Sequence, residues 1–253
     1  MNLFSSNLTS MKRTVIVDCD EVLVETSPRA IQLMHEDYDF YSTFLRLPET
    51  LDLPKMTPLI NTRPTYYLNE WLMKKEIVET DLYDRYMEEL LPKMMEMFAR
   101  KDFYDPLRPT RLGITLMRLL RNRTIAKVII ISKVTKYDKD GIDSKNRFLK
   151  NLFSGLMDRV DIYYLPSNGG GDKSDVIKSL PKSTLDDVAF FADDHIPNIV
   201  DVLEKTDLVN YQLLVPAYGY NNDISSISAL SLRSKQAELK FYSPLVEEGG
   251  YDG

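Results

Sequence analysis

Six residues carry the chemistry legible in this 253-residue chain: Asp18, Asp20, Ser132, Lys173, Asp193 and Asp194. Most of them follow directly on a short apolar run. Thr14-Val15-Ile16-Val17 runs into Asp18, residues 126–131 into Ser132, and residues 188–192 into Asp193 and Asp194. Ligands of an open α/β sheet bind outside the carboxyl ends of the strands, so these side chains are expected to converge on one crevice. Several carboxylates gathered there repel one another unless a cation neutralises them. Mg²⁺ suits such a place, because it takes oxygen ligands and keeps waters for a phosphate-bearing substrate. Lys173, in Gly169-Gly170-Gly171-Asp172-Lys173-Ser174-Asp175, opens a helical pattern and adds positive charge where a helix N-terminus already favours anions. Carboxylates with a metal, a hydroxyl, a lysine and helix N-termini together describe a phosphoryl-transfer site.

Composition narrows the rest. One cysteine, Cys19, cannot form an internal disulfide, and with only His35 and His195 beside it no zinc site of ordinary composition can be built. A metal here is therefore expected to be a hard ion held by carboxylates. Thirty-eight acidic against thirty-two basic residues leave a net charge of -6, which gives no global electrostatic reason to sit on nucleic acid or an anionic membrane. Polar residues interrupt the first seventeen positions too often for a signal peptide, and no eighteen apolar residues run together. A cytoplasmic protein is expected, with the sequon Asn7-Leu8-Thr9 accidental.

The elements that must position these residues follow from periodicity. Runs at 14–17, 126–131, 160–165, 188–192 and 211–215 are rich in Val and Ile with little alternation, as in strands buried on both faces of a parallel sheet. Helical patterns at 111–121, 144–153, 174–180 and 196–204 lie between them, with Ser144 and Ser174 as N-cap candidates. Alternating strands and helices predict a doubly wound α/β core. Residues 27–109 break the alternation with helix-like pieces at 28–35, 67–75 and 80–99, a proline-punctuated stretch at 48–64 and no strand. The expected division is a core from 1–26 and 108–222, a helical insertion at 27–107, and an extension at 223–253 with one weak helix at 225–239.

Four of these segments resemble, in order, the motifs of the haloacid dehalogenase (HAD) superfamily. Val15-Ile16-Val17-Asp18-Cys19-Asp20-Glu21-Val22-Leu23 is similar to its DxDx[TV]L signature, Ile129-Ile130-Ile131-Ser132 to its second motif, Asp172-Lys173-Ser174 to its third, and Phe190-Phe191-Ala192-Asp193-Asp194 to its fourth. The resemblance spans residues 12–25 and 110–220 and implies a three-layer Rossmann-like core with a cap inserted after the first strand. It implies Asp18 as nucleophile, forming an aspartyl-phosphate, and Asp20 as general acid/base that also faces the metal. Ser132 and Lys173 would hold the phosphoryl oxygens, with Lys145 a competitor for the lysine's role. Asp194 would be the further Mg²⁺ ligand, with Asp193 as alternative. Glu21 stands where glycine is usual, His195 where arginine is expected, and Asn198 where many relatives have an acid. The pattern looks most like the 5'(3')-deoxyribonucleotidases, which implies a nucleoside monophosphate as substrate. A sugar or other metabolite phosphatase, a polynucleotide 3'-phosphatase and a non-catalytic HAD-like binding module are the alternatives.

Other conspicuous residues have ordinary readings. Cys19 reads as a small buried hydrophobe, and Gly169 to Gly171 as a flexible connection lacking the spacing of a nucleotide-binding loop. Phe40, Tyr41, Tyr66, Tyr67, Trp71, Tyr83 and Tyr86 read mainly as helical packing, with base stacking as the sharper possibility. Arg63, in Asn61-Thr62-Arg63-Pro64, is the loop residue expected to meet substrate. His195 is either a substrate contact or a capping residue.

Overall fold

The computed structural model describes residues 13–79, 82–134, 139–166 and 171–244; the sequon and Gly169 and Gly170 lie outside them. Six strands, β1 (Thr14–Val17), β2 (Lys127–Val134), β3 (Val160–Pro166), β4 (Val188–Ala192), β5 (Gln212–Pro216) and β6 (Glu238–Tyr242), form one sheet in the order β3-β2-β1-β4-β5-β6. Every pairing is parallel. The chain builds outward from β1 to β3 and then returns to the other side of β1 with β4, so the direction of winding reverses between β1 and β4. That reversal is where a doubly wound sheet opens a crevice.

The near-continuous apolar runs are explained by burial on two faces. Val15, Val17, Val128, Ile130, Phe190 and Ala192 point to one side, and Ile16, Ile129, Ile131, Phe191 and Leu213 to the other. Helices α9 (Lys173–Ser179) and α11 (Ile196–Lys205) bury Ile177, Ile199 and Val202 on the second side. The first side receives α7 (Arg111–Arg121), α8 (Lys139–Leu152) and the inserted segment. Short α10 (Lys182–Asp186) leads into β4.

Every element described between residues 27 and 98 is a helix or helical turn: α1 (Ser27–Glu36), α2 (Tyr38–Phe44), α3 (Leu53–Asn61), α4 (Leu68–Leu72), a 3-10 turn (Lys75–Glu79), α5 (Leu82–Arg85), a π turn (Tyr86–Leu90) and α6 (Leu91–Phe98), with one isolated antiparallel bridge between Leu45 and Met73. The helix expected over 80–99 is thus divided. Pro92 has no N–H to donate to the turn before it, and the backbone widens to a π turn ahead of it, with Leu91 N bonding Tyr86 O. Ile31, Met34, Phe44, Ile60, Leu90 and Met94 belong to the same buried cluster as the sheet face. The insertion therefore extends the core and has no separate one.

Three local readings are corrected. Ser144 lies inside α8, where its hydroxyl accepts Tyr104 N–H at 2.9 Å, and is not an N-cap. Asp172, not Ser174, precedes α9, its N–H reaching the Asp175 carboxylate at 3.2 Å. The helix expected over 225–239 shrinks to α12 (Ala229–Lys235), which stops at left-handed Gln236 (φ 51°). Past it, Glu238-Leu239-Lys240-Phe241-Tyr242 forms the half-exposed edge strand β6, so residues beyond 222 complete the sheet. No helix of the described residues is long and apolar enough to cross a membrane.

Candidate functional site

The carboxyl ends of β1 and β4 are tied together by Asp18 N–H donating to Ala192 O at 2.9 Å. This places Asp18 beside Asp193 and Asp194, and one carboxylate oxygen from each of the three lies within 4.8 Å of the others. Lys173 is brought up from the start of α9 and is 1% exposed. Its Nζ stands 2.7 Å from Asp18 Oδ1 and 2.7 Å from Asp193 Oδ2. One cation thus serves two of three buried acids.

The two fourth-segment aspartates have different surroundings. Asp193 Oδ1 accepts His195 N–H at 3.0 Å and the Asn198 side-chain amide at 3.0 Å, so both its oxygens are engaged. Asp194 Oδ2 accepts the Tyr220 hydroxyl at 2.9 Å, whereas its Oδ1 is buried with no hydrogen-bond partner among the described residues. A buried carboxylate oxygen left unpaired is costly. The three acids are close enough to share one cation, and the unpaired Asp194 oxygen is the atom such an ion would satisfy.

Asp20 turns its side chain the other way. The Tyr104 hydroxyl donates to Oδ1 at 2.8 Å and Lys145 Nζ to Oδ2 at 2.8 Å. The same ammonium donates to Ser132 Oγ at 2.9 Å. Ser132 lies within β2, not beyond it, because the strand continues to Val134. Lys145 and Lys173 therefore do not compete for one position: Lys173 holds Asp18 and Asp193, and Lys145 holds Asp20 and Ser132.

Burial sets the electrostatics. It raises the Asp18 carboxyl, Lys173 pulls it back, and Asp193 and Asp20 push it up again, leaving it at about 6. The Asp194 carboxyl is driven well above its ordinary range by burial and by Asp18 and Asp193. For Lys173 and Lys145 burial works against the charge, but the adjoining acids outweigh it and both ammonium groups are held protonated. Burial likewise pushes the Cys19 thiol well up, as expected of a small hydrophobe with no nucleophilic role.

Glu21 supports its own unusual backbone. It adopts a left-handed backbone (φ 57°), where a Cβ costs about 1–2 kcal/mol. Its Oε1 accepts the Thr26 and Ser27 N–H groups at 3.2 and 2.8 Å and both hydroxyls at 2.8 and 2.7 Å. The side chain thereby closes the loop after β1 and caps α1, offsetting the strain.

An aromatic layer of Tyr66 from the insertion and His195 and Tyr220 from the loops after β4 and β5 adjoins the acids. The Tyr66 ring lies 4.2 Å from the His195 ring and 5.4 Å, edge-on, from Tyr220. Its hydroxyl is pushed well up by burial and by Asp194, Asp18, Asp193 and Asp20. Arg63, expected to meet substrate from a loop, is 2% exposed; its guanidinium sits 4.6 Å from the Tyr220 ring centre and donates to Ile60 O at 2.9 Å. It braces the layer from behind. Of the other aromatics, Tyr41 and Tyr86 are buried in the core, Phe40 and Trp71 pack against it, and Tyr67 and Tyr83 are exposed, resting on the rings of Tyr66 and Tyr86.

Sequence reasoning missed Tyr104 and Tyr220 and did not separate Tyr66 from its neighbours. Tyr220 had a usable signal, since Tyr218-Gly219-Tyr220 follows the apolar run of β5 just as the acids follow theirs. Tyr104 had none, because only the tertiary fold carries residue 104 to residue 20. No family model matches the chain, and no curated protein matches it.

Proposed function

We propose that the chain is a Mg²⁺-dependent, HAD-type phosphatase of the cytoplasm that hydrolyses a small phosphomonoester, best of all a nucleoside monophosphate, with residues 27–107 acting as its cap. The observation that carries this reading is the meeting of Asp18, Asp193 and Asp194 around Lys173 at the winding reversal, with Asp20 two residues beyond Asp18.

Asp18, Asp194 and Asp193 are the residues that would hold the metal together with Asp20, whose contribution is its backbone carbonyl; the bound ion would neutralise the acids and stabilise charge on the phosphoryl oxygens. An Asp18 carboxylate oxygen attacks phosphorus while the ester P–O bond breaks, giving an aspartyl-phosphate. The departing oxygen takes its proton from Asp20. Asp20, now anionic, removes a proton from water, whose oxygen attacks phosphorus and releases inorganic phosphate and the Asp18 carboxylate. Tyr104 and Lys145 each donate to the Asp20 carboxylate oxygens, so entry of substrate must break those bonds before the side chain can reach the leaving group. Lys173 and Ser132 stabilise the phosphoryl oxygens in flight, and Lys145 positions Ser132. The layer of Tyr66, His195 and Tyr220 supports a flat substrate group and excludes water.

The test is release of inorganic phosphate by the purified chain with Mg²⁺ from nucleoside monophosphates, sugar phosphates and 3'-phosphorylated oligonucleotides. Release is expected with nucleotides first and is lost in Asp18→Asn. No release from any of them, or full activity in that variant, overturns the reading.

A further inference from the structure

Helix α7 carries two faces. Leu112, Leu116 and Leu120 are buried in the core, as expected of an amphipathic helix. Ile114, Met117, Arg118 and Arg121 repeat at i, i+3, i+4 and i+7 on the opposite side, where Ile114 is half-buried, Met117 rests on the margin of the core and both arginines are exposed. They line a cleft of about 700 Å³ between α7 and α8, whose far wall is Phe148 and Leu152. That volume is in the range of pockets for small molecules.

Charge in the cleft is one-sided. Its acid, Asp105, is already neutralised by Arg147, whose Nη2 lies 3.0 Å from each carboxylate oxygen. Among the described residues, Arg118 and Arg121 have no carboxylate within ion-pair distance. Arg121 also borders a second concavity of about 530 Å³ shared with Arg13, Arg123 and Arg159, against one acid, Asp158. These residues precede β1, β2 and β3, so the arginines gather at the sheet edge opposite Asp18. Cations in the last turn of a helix are favoured by its dipole, which accounts for Arg118 and Arg121. It does not account for Arg13 and Arg159, which come from other elements. An apolar trough that opens at one end onto uncompensated guanidinium groups complements a molecule with an apolar body and an anionic head.

We propose that the cleft between α7 and α8 binds a small amphipathic anion, its apolar body against Ile114, Met117, Phe148 and Leu152 and its carboxylate or phosphate head at Arg118 and Arg121. The site is separate from the carboxylates of β1 and β4 and does not depend on the activity assigned to them.

Titration calorimetry of the full chain with octanoate, octyl phosphate and octanol tests this, the two acids distinguishing a carboxylate from a phosphate head. One saturable site per chain is expected for at least one of the anions, about tenfold or more tighter than for octanol. The double variant R118Q/R121Q, made at two exposed positions, should weaken that anion about tenfold and leave octanol unchanged. Ile114→Asp should abolish binding of all three. No saturable binding of either anion, equal affinity for octanol, or anion binding that survives R118Q/R121Q would each overturn the proposal.

Discussion

Asp18→Asn should stabilise the metal-free protein at pH 8 and leave it almost unchanged at pH 4. The Asp18 carboxyl is raised from 3.8 to about 6 by burial and by the neighbouring acids. The folded state therefore binds this proton more tightly than the unfolded state does. Its contribution to stability is fully present below about pH 4 and is lost as pH rises through about 6. At 1.36 kcal/mol per unit, the shift corresponds to about 3 kcal/mol. Asparagine fills the same space without the charge, and Lys173 keeps its partner Asp193. The difference in unfolding free energy between variant and wild type should thus grow by about 3 kcal/mol from pH 4 to pH 8. Urea unfolding in EDTA at each pH measures it, and by melting the same difference appears as roughly 6–12 °C. Adding Mg²⁺ at pH 8 should raise wild type more than the variant, because the ion neutralises the acids that asparagine relieves. A stability difference independent of pH, or one that turns against asparagine at pH 8, would refute the assignment of Asp18 as a desolvated charge.

Lys145→Met should reduce kcat for phosphate release about a hundredfold, since Asp20 and Ser132 lose their common donor; steady-state kinetics at saturating substrate read it. Glu21→Ala should cost about 2–3 kcal/mol by urea unfolding, because four donors at the start of α1 lose their acceptor. Glu21→Gly should be about 1 kcal/mol less damaging than the alanine variant, because it removes the left-handed strain. Gly219→Ala should lower the melting temperature by several degrees, since its methyl group would sit 2.4 Å from Thr62 O, where the backbone of residues 62–63 rests on the loop after β5.

What the sequence reveals and what it hides divide along physical lines. Strand ends were legible at Asp18, Asp193 and Asp194 because a parallel strand buried on both faces is an unbroken apolar run, and its last residue is marked by the first polar one. β6 was not, since an edge strand half in water mixes Glu238 and Lys240 with Leu239 and Phe241, a pattern that a short helix shares. That the elements between residues 27 and 98 are helices was legible from the lack of strand runs, but the π turn at Tyr86–Leu90 needs the backbone response to Pro92. At the site, spacing identified Asp20 but gave no view of its partners. Tyr104 and Lys145 arrive from 84 and 125 residues away, and no local pattern encodes a contact of that separation. Arg63 was misjudged for the opposite reason: a loop position suggests exposure, and only packing against Tyr220 and Tyr218 shows the guanidinium buried.

The central place of β1 has a consequence for how the molecule is made. Of the six described strands, the first to be made lies at the centre of the sheet, and it cannot be flanked on its second side until β4 exists. Thr14 finds the Asp187 carboxylate 173 residues further on. At ordinary elongation rates of 5–20 residues per second, that interval is about 10–35 s. During it, β1 has at most β2 beside it, and the far edge of its backbone is open to pairing with another chain. Lys173 is also a late arrival, 155 residues after Asp18, so Asp18 stays without its cation over that interval. Closure of the crevice is then coupled to completion of the fold, and a nascent chain stalled before β4 has a nucleophile but no site.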